Sequence, residues 1–128
     1  MRKSEQMPRM DCAVDAAMSV IEGKWKSAIL CKLFVKGDMR FSQLQSELPK
    51  VSSKVLTNQL RELESDGLIN RTIYAEVPVR VVYSITDRGR SLMPALKALA
   101  DWALENVFTN MVKIEVPHIN KNSNGTVL

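Results

Sequence analysis

The stretch KVSSKVLTNQLR, Lys50 to Arg61, combines three side-chain chemistries without a carboxylate: the hydroxyls of Ser52, Ser53 and Thr57, the amide of Asn58, and the cations Lys50, Lys54 and Arg61. Hydroxyls and amides can read base edges, a guanidinium can bind guanine through two parallel hydrogen bonds, and an ammonium neutralises phosphate. On a helix, Leu56, Leu60 and Leu63 fall on one side at spacings of four and three, with Val55 beside them. Lys54, Thr57, Asn58 and Arg61 then face the other way. The acids begin at Glu62 and Glu64, in the half that would leave a DNA groove. An ordinary solvated helix face is the plain alternative, since polar faces usually do no more than meet water.

Further cations stand where they could support such a face. Arg80 lies near the tip of a hairpin expected after this helix, with Arg71 along the ribbon, and Arg suits a narrow minor groove. Lys24, Lys26, Arg40 and Lys50 lie at helix starts or turns within reach of phosphates.

The elements that must position these residues are legible in the pattern. Asp11–Glu22 is expected to be a helix ended by Gly23, and Lys24–Lys36 a second, with Trp25, Ile29, Leu30, Leu33 and Phe34 near one side and Gly37 as its stop. Phe41–Leu48 is a shorter helix closed by Pro49. Ser52 or Ser53 can cap the next helix, and Gly67 can end it. The period then changes from helical to alternating. Leu68–Tyr74 and Val79–Ile85 are expected to form a hairpin around Ala75–Pro78, the second strand directing Val81, Tyr83 and Ile85 to one side. Thr86 and Asp87 open a long helix, Arg88 to about Asn110. A helix, a tight turn, a helix and a two-stranded ribbon in that order make a winged helix-turn-helix. The expected fold is mainly α with a small β-hairpin, extended by a long C-terminal dimerisation helix. Residues 1–10 read as a polar arm, 11–112 as the domain, and 113–128 as a loose polar tail.

Composition agrees with a single soluble domain. The chain has 128 residues, 45% of them hydrophobic and 25% charged, with a net charge of +4 that permits a polyanionic partner without proving one. No apolar run approaches the ~20 residues that a membrane helix needs. The opening MRKSEQMPRM has no apolar core of a secretory signal, so the expected location is the cytoplasm. There Cys12 and Cys31 are expected to be free thiols. Cys31 falls among the apolar residues of its helix. His118 stands alone in the tail, and no set of Cys, His and carboxylates has the spacing of a structural zinc site. No cofactor is expected.

Several blocks resemble the HxlR-type winged helix regulators, bacterial relatives of the MarR group: CAVDAAMSVIEGKWKSAIL from Cys12, RFSQLQ from Arg40, SSKVLTNQLRELESDGLINR from Ser52, VPVRVVYSITDRGRSL from Val77, and the region of Trp102. The resemblance spans roughly Cys12 to Asn106. It implies a homodimeric transcription factor on operator DNA, with Gly23, Lys24 and Trp25 opening the second helix and Pro78, Val79 and Arg80 at the wing tip. It also implies that the first cysteine, Cys12, senses oxidants or small electrophiles. The family usually has Pro after that cysteine, where this chain has Ala13. The dipole at the start of a helix favours a thiolate at Cys12, while Asp11 and Asp15 oppose it; a small buried thiol without a signalling role is the alternative.

Leu92, Leu96, Leu99, Trp102 (or Ala103) and Val107 lie along one side of the last helix. So long a stripe exceeds the needs of a small winged domain, and the surplus suits the same helix of a second subunit. Two-fold symmetry then calls for an inverted-repeat operator with half-sites about 34 Å apart. Other classes fit less well. Catalysis needs a nucleophile, base and orienting group, and only a peroxidase-like reaction at Cys12 survives that requirement; no enzyme is expected. A winged module that binds proteins, or a regulator that responds to a ligand without thiol sensing, remains as the alternative function. The default is a repressor, because a small dimer on a promoter most simply blocks polymerase.

Overall fold

Leu56, Leu60 and Leu63, the three leucines expected to anchor the central helix, are sealed into the core at 1% exposure or less. The computed structural model describes residues 9–108. Five α-helices are joined by a small sheet in the order α1 (Met10–Ile21), α2 (Lys26–Lys36), β1 (Met39–Arg40), α3 (Phe41–Glu47), α4 (Ser53–Ser65), β2 (Ile69–Tyr74), β3 (Arg80–Ile85) and α5 (Asp87–Ala103). A π-helical turn, Leu104–Phe108, follows α5. This is the winged helix-turn-helix arrangement: α3 and α4 form the two helices, and β2 and β3 the wing.

The sheet has three antiparallel strands in the order β1-β3-β2. Ile69 pairs with Ile85 and Tyr74 with Arg80, so the hairpin is in register along its whole length. The first strand, absent from the sequence reading, covers the other edge of β3 by pairing Met39 with Tyr83 and Arg40 with Val82. Two residues are too few to show an alternating pattern, and their extended state comes from the backbone groups that β3 offers.

The core joins Ile29, Leu30 and Leu33 of α2 to Leu44, the α4 leucines, Leu68, Ile69, Tyr83, Ile85, Met93 and Leu96. Three features hold the turn after α4. Gly67 has φ +78°, which favours glycine, and ends the helix as expected. The Thr86 hydroxyl donates to the Gly67 carbonyl at 2.7 Å and accepts from the Gly89 N–H at 3.0 Å, so one side chain both ties the turn and caps α5. The Thr86 N–H donates to the Leu68 carbonyl at 3.0 Å.

Several expectations shift. The last helix, expected from Arg88 to about Asn110, stays helical to the last described residue, with α5 passing at Leu104 into the π turn, and its expected final two residues lie outside the described ones. The expected arm loses Met10, which opens α1, and the expected tail, with His118, lies outside the described residues. Phe34 and Val55, placed by periodicity on the inner sides of their helices, are 42% and 40% exposed. Val55 is one residue, or about 100° around the helix, from Leu56, at the margin of an apolar stripe whose centre alone is covered.

Candidate nucleic-acid interface

The start of α4 is built by short-range polar contacts. Of the two candidate caps, Ser52 performs the role: its hydroxyl accepts from the Val55 N–H at 3.1 Å. Ser53 instead donates to Gln45 Oε1 at 3.0 Å, while Gln45 Nε2 donates to the Val51 carbonyl at 2.6 Å. Gln45, not singled out in the sequence, therefore ties α3 to the first turn of α4. A glutamine seven residues before a cap carries no local signal of that role.

With that turn held and the leucines inward, Lys54, Asn58 and Arg61 are exposed on the outer side, and Thr57 is half-buried beside them. Lys50 is exposed in the preceding turn. Among the described residues, Lys24, Arg40, Lys50, Lys54, Arg61, Arg71 and Arg88 carry no ion pair, whereas Arg9, Lys26, Lys32, Lys36, Arg80, Arg90 and Lys97 each have a carboxylate partner. Four of these seven unpaired cations, Lys50, Lys54, Arg61 and Arg71, lie on or beside α4 and on the adjoining strand. Arg40 is exposed at the start of α3, where its backbone N–H donates to Gln43 Oε1 at 2.8 Å.

A cleft of about 310 Å³ separates the outer side of α4 from the base of the wing, lined by Thr57, Leu60, Arg61, Glu64, Arg71 and Tyr83. It brings Arg71 to Arg61, two residues that the sequence singled out separately.

Arg80 is not a free wing arginine. Its guanidinium donates to both carboxylate oxygens of Glu76, at 3.3 and 3.0 Å, and lies 4.0 Å from the centre of the Tyr74 ring. The hydrogen bonds from Arg80 hold the Glu76 carboxyl below the usual carboxylate range, and the same contact raises Arg80. Tyr74 and Arg80 are cross-strand partners, so closure of the hairpin creates this clasp. The wing beyond it carries Val77 and Val79 at 101% and 62% exposure.

The two lysines at the start of α2 separate. Lys24 is exposed, its Nζ 5.4 Å from the Trp25 ring centre. Lys26, whose sequence position suggests a phosphate contact, is instead buried and pairs with Glu62 of α4 at 2.6 Å. The stem that reaches Glu62 lies under protein, so the ammonium is withdrawn from any phosphate.

The expected dimerisation stripe divides. Leu96 is buried in the core of its own subunit and Leu92 packs against that core. Leu99 and Trp102 are 53% and 61% exposed, while Val107 is half-buried in the π turn. No residue of α1 is buried, and Met10, Val14 and Met18 form an exposed apolar row along it at i, i+4 and i+8. Both thiols are free. Cys12 is exposed in the first turn of α1, and Cys31 is half-buried, with burial pushing its thiol up from the ordinary cysteine range.

A winged helix-turn-helix with a cation-bearing α4 and a wing of this kind defines a DNA-binding transcription regulator. Residues 20–111 match the model of the HxlR-like helix-turn-helix family, and the chain belongs to that family. An HTH-type transcriptional regulator of Methanothermobacter thermautotrophicus is 50% identical over 91 residues, 71% of this chain and 69% of the relative. The solved structure of the HTH-type regulator YtcD of Bacillus subtilis superposes with a TM-score of 0.69 at 46% identity, over 72% of this chain and 93% of that one. The redox regulator HypR in its oxidized form superposes with a TM-score of 0.68 at 38% identity, over 74% of this chain and 97% of that one.

Proposed function

We propose that the protein is a homodimeric repressor that inserts α4 into the major groove at each half of an inverted-repeat operator. The observation that carries this reading is the set of unpaired cations, Lys50, Lys54, Arg61 and Arg71, on and beside a helix whose first turns also offer Ser52, Ser53, Thr57 and Asn58. Lys50 and Lys54 meet phosphate and set affinity; Asn58 reads a base edge and sets preference. Arg80, Arg40 and Lys24 add backbone contacts at the edges. The second subunit covers the row Met10, Val14 and Met18 together with Leu99 and Trp102. Exposed apolar residues on the first and last helices suit a two-fold contact. The protein acts by binding, without catalysis or a cofactor.

Cys12 receives the signal in this reading. Its exposure on a helix that also carries the proposed dimer row supports that role, as does the likeness to a regulator named for redox response. Oxidation or alkylation there by an oxidant or small electrophile alters the subunit contact and hence the spacing of the two α4 helices.

Selection from a random duplex library, run with reduced and with mildly oxidised protein, tests the whole reading. An inverted repeat enriched under one condition supports the thiol-switched regulator. The same repeat under both removes Cys12 as sensor, and no enrichment under either removes sequence-specific binding in favour of a protein-interaction module. Light scattering that finds a monomer at micromolar concentration removes the dimer.

A further inference from the structure

We propose that the cleft between α4 and the base of the wing seats a single phosphate group of the DNA backbone, gripped jointly by Arg61 and Arg71. This rests on the DNA reading above and assigns a site within it. Arg71 and Tyr83 are direct cross-strand partners, so their side chains leave the same face of the sheet, and both line the cleft with Thr57 and Arg61 of α4. Among the described residues, neither guanidinium has a carboxylate or hydrogen-bond partner, and the Thr57 and Tyr83 hydroxyls make no hydrogen bond. Two like charges around one cleft repel each other until an anion enters between them. Glu64, the one carboxylate in the lining, leaves the site with a net positive charge.

The geometry of the duplex selects the source of that anion. A helix in the major groove and a hairpin tip in the neighbouring minor groove are separated by one sugar–phosphate strand, the ridge between the grooves. The cleft lies between the helix and the hairpin, where that ridge crosses. Base edges lie on groove floors and do not reach it. Two planar guanidinium forks around a tetrahedral oxyanion make charge-assisted, geometrically specific hydrogen bonds, with the two hydroxyls as further donors. Arg61 is thereby moved from the guanine reader that its helix position suggested to a positioning contact, leaving base discrimination to Asn58 and its neighbours nearer the start of α4.

The test uses the full chain, the selected operator and a scrambled duplex of equal length. Both arginines are exposed, so Arg61→Ala and Arg71→Ala leave the thermal midpoint near that of the parent. Each change is expected to weaken binding roughly tenfold on both duplexes and to flatten the salt slope by about one unit. Arg61→Lys and Arg71→Lys keep the slope while losing part of the affinity, and Glu64→Gln tightens binding. In operators carrying one neutral methylphosphonate at a time, one position reproduces the loss, and neither Ala change weakens binding further there. A change of base-pair preference in Arg61→Ala, or different sensitive positions for the two arginines, overturns the shared site. Inorganic phosphate that binds the DNA-free protein through Arg61 and Arg71, with operator affinity indifferent to both, overturns the DNA source in favour of a small phosphorylated ligand. If the parent protein binds neither duplex, the DNA reading itself fails.

Discussion

Lys26 Nζ lies 2.6 Å from Glu62 Oε1, and the two ends of this ion pair are unequally covered: the Lys26 side chain is 5% exposed and that of Glu62 56%. Lys26 is the buried charged residue of the described region, at the start of α2, and Glu62 is in the second half of α4. The pair therefore links the start of α2 to the helix proposed to read DNA. Removing either partner is not equivalent. Glu62→Ala leaves a buried ammonium without its anion and is expected to cost about 2 kcal/mol, while Lys26→Met removes the buried charge, keeps an apolar stem and costs less than about 1 kcal/mol. Urea unfolding of the two variants measures the difference; equal losses would show that the ion pair is worth no more than its packing.

The two glycines around the turn after α4 should respond unequally to alanine. At Gly89 a Cβ would run into the Leu68 carbonyl oxygen and come within 2.7 Å of Ile85 Cγ1, so backbone must move. At Gly67 the nearest atom to a new Cβ is the end of the Arg88 side chain at 3.4 Å, leaving only the cost of positive φ. Gly67→Ala is expected to cost about 1 kcal/mol and Gly89→Ala about 2 to 3 kcal/mol. Thermal midpoints in the reverse order would contradict this close contact of α5 with β3.

Glu47 ties α3 to α2 by accepting from Lys36 and pairing with Lys32, each at 3.2 Å. Hydrogen bonds from Lys36 and then Lys32 hold its carboxyl below the ordinary range. A depressed carboxylate contributes stability above its unfolded pKa and loses it as pH falls through the lower folded value. Glu47→Gln should therefore be less stable than the parent at pH 7, with the gap closing below about pH 4 as the parent's carboxylate takes up a proton. Urea midpoints across that range give the answer, and a gap that widened in acid would reverse the assigned sign.

The two thiols should react at distinct rates in the reduced protein. Cys12 is exposed, whereas Cys31 is half-buried and its thiolate is disfavoured by burial. Iodoacetamide at neutral pH is expected to label Cys12 first, and the Cys12→Ser protein should show only the slow phase on mass spectrometry. A fast phase that persisted in Cys12→Ser would place the reactive thiol on α2 instead.

The wing clasp competes with DNA for Arg80. Glu76→Gln removes the anion that holds the guanidinium over Tyr74, and the expected result is a few-fold tighter binding at low salt with a steeper salt dependence. Fluorescence anisotropy with a labelled duplex measures both. Weaker binding would mean that Glu76 orients Arg80 for its contact rather than restraining it.

Features encoded within a turn or two of chain could be read from residue order alone. The leucines at 56, 60 and 63 set which side of α4 is buried, the pair Ser52 and Ser53 and then Gly67 bracket its ends, and the alternation at Val81, Tyr83 and Ile85 marked the inner side of the wing. These follow from the periods of 3.6 and 2 and from caps that act over three residues. How distant segments meet came from folding in three dimensions. It extended Met39 and Arg40 into a third strand, buried Lys26 against Glu62, fastened Arg80 to Glu76 once the hairpin closed, and joined Arg61 to Arg71 across one cleft. It also divided the α5 stripe, giving Leu96 to the subunit's own core while Leu99 and Trp102 stay exposed. A hydrophobic period states that a face will be covered; whether the cover is the same chain or another depends on three-dimensional packing, which no local window of sequence contains.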